Sequence, residues 1–146
     1  MEFHKILVPV AGTEADEEAI MVACKLTDKK AKGKISIVHV IKVERTLPLD
    51  AEMETEIQQA EKILDRMENV AKEHGGNVET ELLQARDVGQ TLIDEATNRE
   101  ADLIIVGSAY KKRFGQFSLG DVVPYVLKCA PCHVILYQHQ YPTSEV

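Results

Sequence analysis

Residues able to hold an anion gather between positions 101 and 127. Gly107 closes the apolar run Leu103-Ile-Ile-Val106, and Gly120-Asp121 leads into Val122-Val-Pro-Tyr-Val-Leu127. Between them lie Ser108, Tyr110 and the cationic triplet Lys111-Lys112-Arg113. A strand ending on glycine, then a polar loop and a helix start, is an arrangement by which α/β proteins hold phosphate. The first helix amides lack intrahelical partners, and the dipole end is positive. The loop cations could neutralise phosphate oxygens, although on an acidic chain a solvated charged loop is the favoured reading. Ser108 either donates from the loop or opens a turn. Asp121 opposes an anion. Ionised, it cannot donate, and at ~4 Å two like charges cost about 1 kcal/mol in water and about 4 at an effective dielectric of 20. It reads instead as a cap on the free helix amides.

Other reactive side chains form no constellation. The three cysteines are Cys24, Cys129 and Cys132, an odd number that suggests free thiols in a reducing compartment. Cys129-Ala-Pro-Cys132 has redox spacing, but redox pairs follow a strand and open a helix; here a helix ends and a strand begins. His39 sits within a strand and reads as packed or hydrogen-bonded, and His4, His74, His133 and His139 show no metal spacing. No Gly-rich dinucleotide fingerprint, P-loop or serine elbow occurs. Asp94 and Glu95 read as the outer face of a helix.

The chain has 146 residues, one domain's worth over 1–146, and a formal net charge of −7. That charge argues against nucleic-acid binding through phosphate contacts. No apolar run is long enough to cross a bilayer, and no targeting segment opens the chain, so a cytoplasmic protein is expected.

Strands are predicted over residues 3–10, 34–43, 78–82, 103–106 and 133–138. The third alternates Val78, Thr80 and Leu82 with Glu79 and Glu81, as on a strand with one solvated face at a sheet edge. Helices are predicted after each of the first four. Thr13 to Asp16 fits a capping box, and the basic residues at 29–32 complement the first helix's end, with Gly33 as its stop. Residues 51–73 carry the apolar stripe of the second helix, and Asp87 caps a third with Val88, Leu92, Ile93 and Ala96 inward. The last helix spans about 120–128, with Pro124 in its first turn; residues 141–146 read as a frayed tail. Strand–helix alternation implies a parallel sheet with helices on both faces and a ligand crevice beyond the strands' carboxyl ends.

Lys5-Ile-Leu-Val-Pro-Val10, Ile37-Val-His-Val40, Gly89-Gln-Thr-Leu-Ile93, Ala101-Asp-Leu-Ile-Ile-Val-Gly-Ser108, Ser118-Leu-Gly-Asp-Val-Val-Pro-Tyr-Val-Leu127 and Ala130-Pro-Cys-His-Val-Ile-Leu136 together resemble the universal stress protein family over nearly the whole chain. The resemblance implies a Rossmann-like α/β fold of the adenine nucleotide alpha hydrolase type: one open five-stranded parallel sheet, order 3-2-1-4-5, with helices on both faces. It also implies a homodimer formed through the last strand, His133–Gln138, an apolar edge with little to guard it. Crevice positions by this resemblance are Pro9, Val10, Ala11, Val40, Val106, Gly107, Ser108, Tyr110, Gly120, Asp121 and Val122. The nucleotide-binding branch carries a glycine, a second glycine three residues on, and a third glycine followed by serine or threonine. Gly107 and Gly120 match; Tyr110 and Asp121 do not. Ala11 replaces an aspartate that the family places two residues beyond the proline. Tyr110 gives up close backbone approach, Asp121 repels phosphate, and Ala11 removes an acceptor for ribose or base. The resulting expectation is a non-catalytic stress-response binding protein with a degraded adenine-nucleotide site, acting through dimerisation and an unknown protein partner, with AMP or a similar small adenine ligand accommodated. The alternative is an ATP-binding switch with slow or no hydrolysis, its cationic loop compensating for the lost motif.

Overall fold

Leu103-Ile-Ile-Val106 and Ile6-Leu7-Val8 lack polar residues because both faces of their strands are covered. Ile6, Val8 and Ile105 lie in a core with Ala19, Ile20, Ala23, Leu64 and Met67, whereas Leu7, Ile104 and Val106 join Leu92, Ala96, Val123 and Val126. A helix pair therefore sits on each side. The computed structural model describes residues 2–108 and 121–139. In chain order the elements are β1 (Lys5–Pro9), α1 (Glu14–Leu26), β2 (Lys34–Lys42), α2 (Glu54–Glu73), β3 (Val78–Ala85), α3 (Val88–Asn98), β4 (Leu103–Ser108), α4 (Val122–Cys129) and β5 (His133–Gln138). The strands form one sheet in the order β3-β2-β1-β4-β5, every pairing parallel. The crossovers reverse direction between β1 and β4, so the carboxyl ends of β1, β2 and β4 share one edge. No helix among the described residues is long and apolar enough to cross a membrane.

Element ends depart from the sequence reading for local reasons. α1 stops at Leu26, short of the basic residues expected to sit on its end. The Thr27 hydroxyl donates to the Ala23 carbonyl at 2.5 Å, its backbone turns extended at ψ 135°, and it bridges to Phe3. Lys30 and Ala31 then fold around the Asp28 carboxylate, which accepts both their amides. α2 begins at Glu54 because the preceding segment is fastened to the end of β3. The Gln84 side-chain amide donates to the Leu49 and Ala51 carbonyls, and Arg86 donates to those of Glu44 and Leu47 at 2.9 Å each. β4 runs two residues beyond Val106, since Gly107 and Ser108 pair with Tyr137 and Gln138.

β3 is an edge strand, but its acidic face is not simply solvated. Arg99, capping the C-terminus of α3, reaches Glu79 at 2.6 Å and Glu81 at 2.9 Å, and Ser36 and Lys34 complete the contacts to Glu79. The hydrogen bond from Lys34, supported by Ser36 and the Arg99 charge, holds the Glu79 carboxyl below its usual range against a partial desolvation cost. Glu95 belongs to this group, 3.8 Å from Arg99, rather than to the outer face of α3. Cys129 and Cys132 are free, at the end of α4 and just before β5; Cys24 is free and buried, which pushes its thiol pKa up.

Candidate functional site

At the carboxyl edge, β1, β2, β4 and the starts of α3 and α4 enclose a largely apolar cleft of about 210 Å³. Pro9, Val10 and Ala11 form one wall, Val40 a second, Val106 and Gly107 a third, and Val122 closes it. Those seven residues, singled out from separate parts of the chain, are brought together. Ser108 is not among the residues lining this cleft: it is the buried last residue of β4, and its carbonyl accepts the His139 amide at 2.8 Å. Tyr110, Gly120 and the triplet Lys111-Lys112-Arg113 lie outside the described residues.

The turn after β1 is organised by a residue that motif reading treats only as a cap. Thr13 and Asp16 do form the capping box of α1. Beyond that, one carboxylate oxygen of Asp16 accepts the amides of Ala11, Gly12 and Thr13 at 2.7, 2.8 and 3.0 Å. Three successive amides converging on one point make an anion nest, and Asp16, 4% exposed, fills it from within. Gly12 makes the curl attainable: its φ is +103°, and a Cβ there would stand 3.0 Å from the Ile63 side chain. The sequence signal was an Ala-Gly turn followed within one helical turn by an aspartate, which the capping box only partly captures.

His39 and Asp16 are the polar side chains of the cleft wall. The His39 Nδ1 lies 2.7 Å from the Val10 carbonyl, which can only accept, so Nδ1 carries a proton, and in the neutral ring Nε2 is an acceptor. The hydrogen-bonded reading of this histidine is therefore correct, and its place in the crevice is an addition to it. Gly107 serves packing. A Cβ on it would meet the Ala15 carbonyl carbon and oxygen at 2.8 Å, so the backbone that approaches it most closely is that of α1.

Asp121 behaves differently from the capping residue expected. It precedes α4 with φ −93° and ψ −30°, and its side chain makes no capping bond. A capping side chain needs an extended backbone at that position to fold back onto the amides, as Asp87 shows at α3, where φ −122° and ψ 104° let its carboxylate accept the Gln90 amide at 3.1 Å. Asp121 instead lines a second, polar cleft of about 460 Å³ beside the first, together with Lys42, Arg45, Arg86 and Asp87. Val88 and Val122 are walls of both. Among the described residues, no three histidine, cysteine or acidic side chains lie close enough to hold a metal.

Comparison with known proteins agrees with this architecture. Universal stress protein MJ0531 of Methanocaldococcus jannaschii is 26% identical over 140 residues, covering 92% of this chain and 81% of that protein. The universal stress protein of Archaeoglobus fulgidus superposes with a TM-score of 0.73 at 21% identity, over 94% of this chain and 95% of its own. Its structure in complex with dAMP gives 0.72 at 19% identity, over 94% and 99%. An Arabidopsis thaliana protein of the same family, solved with AMP bound, gives 0.67 at 18% identity, over 97% and 94%. The universal stress protein family profile matches residues 2–138, and the chain belongs to that family.

Proposed function

We propose that this protein is a non-catalytic binding member of its family, a stress-response regulator whose carboxyl-edge crevice takes a small adenine ligand and whose output is contact with another protein. The observation that carries this reading is the cleft between Pro9-Val10-Ala11, Val40 and Val106-Gly107. It is largely apolar, sized for a base, and is bordered by the His39 ring, whose Nε2 in the neutral form can receive an exocyclic amino group. Relatives of the same fold are described with dAMP and AMP, which supports an adenine ligand in particular. The grip on a triphosphate is weakened. The β1 turn spends its three converging amides on Asp16, Asp121 brings a carboxylate to the helix start, and Ala11 supplies no side-chain acceptor. Two copies pair through β5, whose edge exposes Leu136 beside Val134 and Ile135. Pro9, Val10, Ala11, Val40, Val106, Gly107 and Val122 contact the ligand.

The test is the nucleotide content of freshly purified protein, released by heat and identified chromatographically, followed by thermal shift with adenosine, AMP and ATP. A ligand at 100 times its Kd adds about 2.7 kcal/mol of stability. Adenosine or AMP stabilising at least as well as ATP fits the proposal. ATP stabilising strongly while adenosine and AMP do nothing favours the switch reading, in which the cationic triplet compensates for the altered motif. No shift with any of the three removes the adenine reading.

A further inference from the structure

The carboxylate that fills the β1 turn has a second oxygen, and that oxygen is unbonded. Asp16 Oδ2 takes the amides of Ala11, Gly12 and Thr13. Oδ1 enters no hydrogen bond or ion pair among the described residues. It is not sealed inside protein either. Among the described residues, Arg99 Nε is the side-chain polar atom that is both shut off from solvent and unbonded. Asp16 as a whole is 4% exposed, and it lines the largely apolar crevice. The small part of it that is open therefore faces that crevice. A carboxylate oxygen in such a wall, without a donor of its own, carries a desolvation cost that an incoming donor offsets. The three amides also clamp the carboxylate from behind, so Oδ1 is fixed before any ligand arrives. Carboxylate oxygens only accept, and a second anion at this point is repelled. The group that fits is a neutral donor.

We infer that Asp16 Oδ1 accepts a sugar hydroxyl of the bound nucleoside and so makes the crevice selective for hydroxylated sugars. The inference rests on the adenine-crevice reading for the base. A nucleoside offers two kinds of neutral donor, the exocyclic amine of the base and the hydroxyls of the sugar. The amine has an acceptor at the β2 side of the crevice, where His39 and Val40 stand. Asp16 belongs to the other side. Its amide nitrogen would lie 3.0 Å from a Cβ on Gly107, so it packs against the end of β4. β2 and β4 flank β1, and strands two apart in a sheet are separated by about 10 Å. A nucleoside spans such a gap with its amine at one end and its sugar at the other. The acceptor that Ala11 does not supply is thus supplied by Asp16, whose first oxygen holds the turn and whose second meets the ligand.

The experiment is titration calorimetry of the native protein and Asp16→Asn with adenosine, dideoxyadenosine, which lacks both secondary hydroxyls of its sugar, and purine riboside, which lacks the amine. In the variant the three amides still require an oxygen, so the side-chain NH2 is the group turned to the crevice, a donor where an acceptor stood. The native protein is expected to prefer adenosine over dideoxyadenosine by about tenfold, as for a hydrogen bond to a charged group. In Asp16→Asn that preference should fall to within about threefold, while purine riboside loses the same factor in both proteins. A residue that only holds the turn would weaken every ligand alike and leave the preference unchanged. Carbon-detected NMR of the native protein gives a reading that needs no variant: the Asp16 carboxyl carbon should shift with adenosine and stay in place with dideoxyadenosine. Equal native affinities for the two, a preference that survives in Asp16→Asn, or a carboxyl shift common to both ligands overturns the inference and leaves the adenine reading standing. Binding of neither nucleoside overturns both.

Discussion

The Asp16 carboxylate stands 2.7 Å from the amide nitrogen of Ala11. Ala11, where the family resemblance implies an aspartate, is therefore served by an acidic side chain from five residues along, aimed at its backbone. The charge is anchored to the turn by one oxygen. Replacing Asp16 with alanine leaves three amides of a part-buried turn without their acceptor. Since hydrogen bonds to a charged group contribute about 1.5–3 kcal/mol, Asp16→Ala should destabilise the fold by about 3 kcal/mol, and Asp16→Asn, which keeps an acceptor, by clearly less. Urea unfolding of both variants measures this; equal losses would mean that the charge contributes nothing.

Gly107 gives a second prediction. Its missing Cβ is the space into which the Ala15 backbone packs, and overpacking costs about 1–3 kcal/mol. Gly107→Ala should lower the melting temperature of the ligand-free protein. A variant with native stability but impaired nucleotide binding would show that the glycine serves a ligand and not the helix.

Asp121 should repel a phosphate brought to the crevice, because it lines the adjoining polar cleft and precedes α4. Asp121→Ser removes a like charge worth about 1 kcal/mol in a solvated setting. ATP should therefore bind about fivefold more tightly to the variant, with adenosine unchanged, as read by calorimetry. The helix should not suffer, since the native side chain makes no capping bond.

His139, just past β5, meets α1 through two carboxylates: Nδ1 is 2.9 Å from Glu18 and Nε2 is 3.2 Å from Glu14. The hydrogen bond to Glu18 raises its pKa above 6.5, the Glu18 and Glu14 charges add to the rise, and partial desolvation works against it. Tyr137 shares Glu18, which raises the phenol's pKa in turn. A folded-state pKa above the unfolded value favours the protonated, folded form. This contribution is complete below about 6.5 and fades as pH climbs through the folded value. Proton NMR titration should show His139 above 6.5 in the native protein and nearer 6.5 in Glu18→Gln, and the thermal stability difference between the two should shrink above the native value. An unshifted histidine would refute the linkage.

The sheet was legible from residues alone because its evidence is redundant. Ile6-Leu7-Val8 and Leu103-Ile-Ile-Val106 can only be covered on both faces, and the alternation around Glu79 and Glu81 marks an edge. Most of the cleft was legible too, because crevice walls in a doubly wound sheet fall at strand ends. What escaped was decided by geometry that spacing does not encode. Asp16 looks like half of a capping box until the turn curls onto it. Asp121 looks like a cap until its backbone proves helical. Lys42, Arg45 and Arg86, scattered along the sequence, look like solvated charge until β2 and β3 set their ends side by side. Ser108 was misread as a loop residue because nothing in a glycine-serine pair says that a neighbouring strand continues opposite it.

The two margins of the sheet are unlike. β3 carries glutamates clamped by Arg99, while β5 presents aliphatic residues and, among the described residues, no such clamped charge. Pairing through β5 would leave a copy of β3 at each outer border, where further strands meet fixed charge. Growth then stops after a single addition: the same asymmetry that invites one companion turns away a third, and a fibre has nowhere to start.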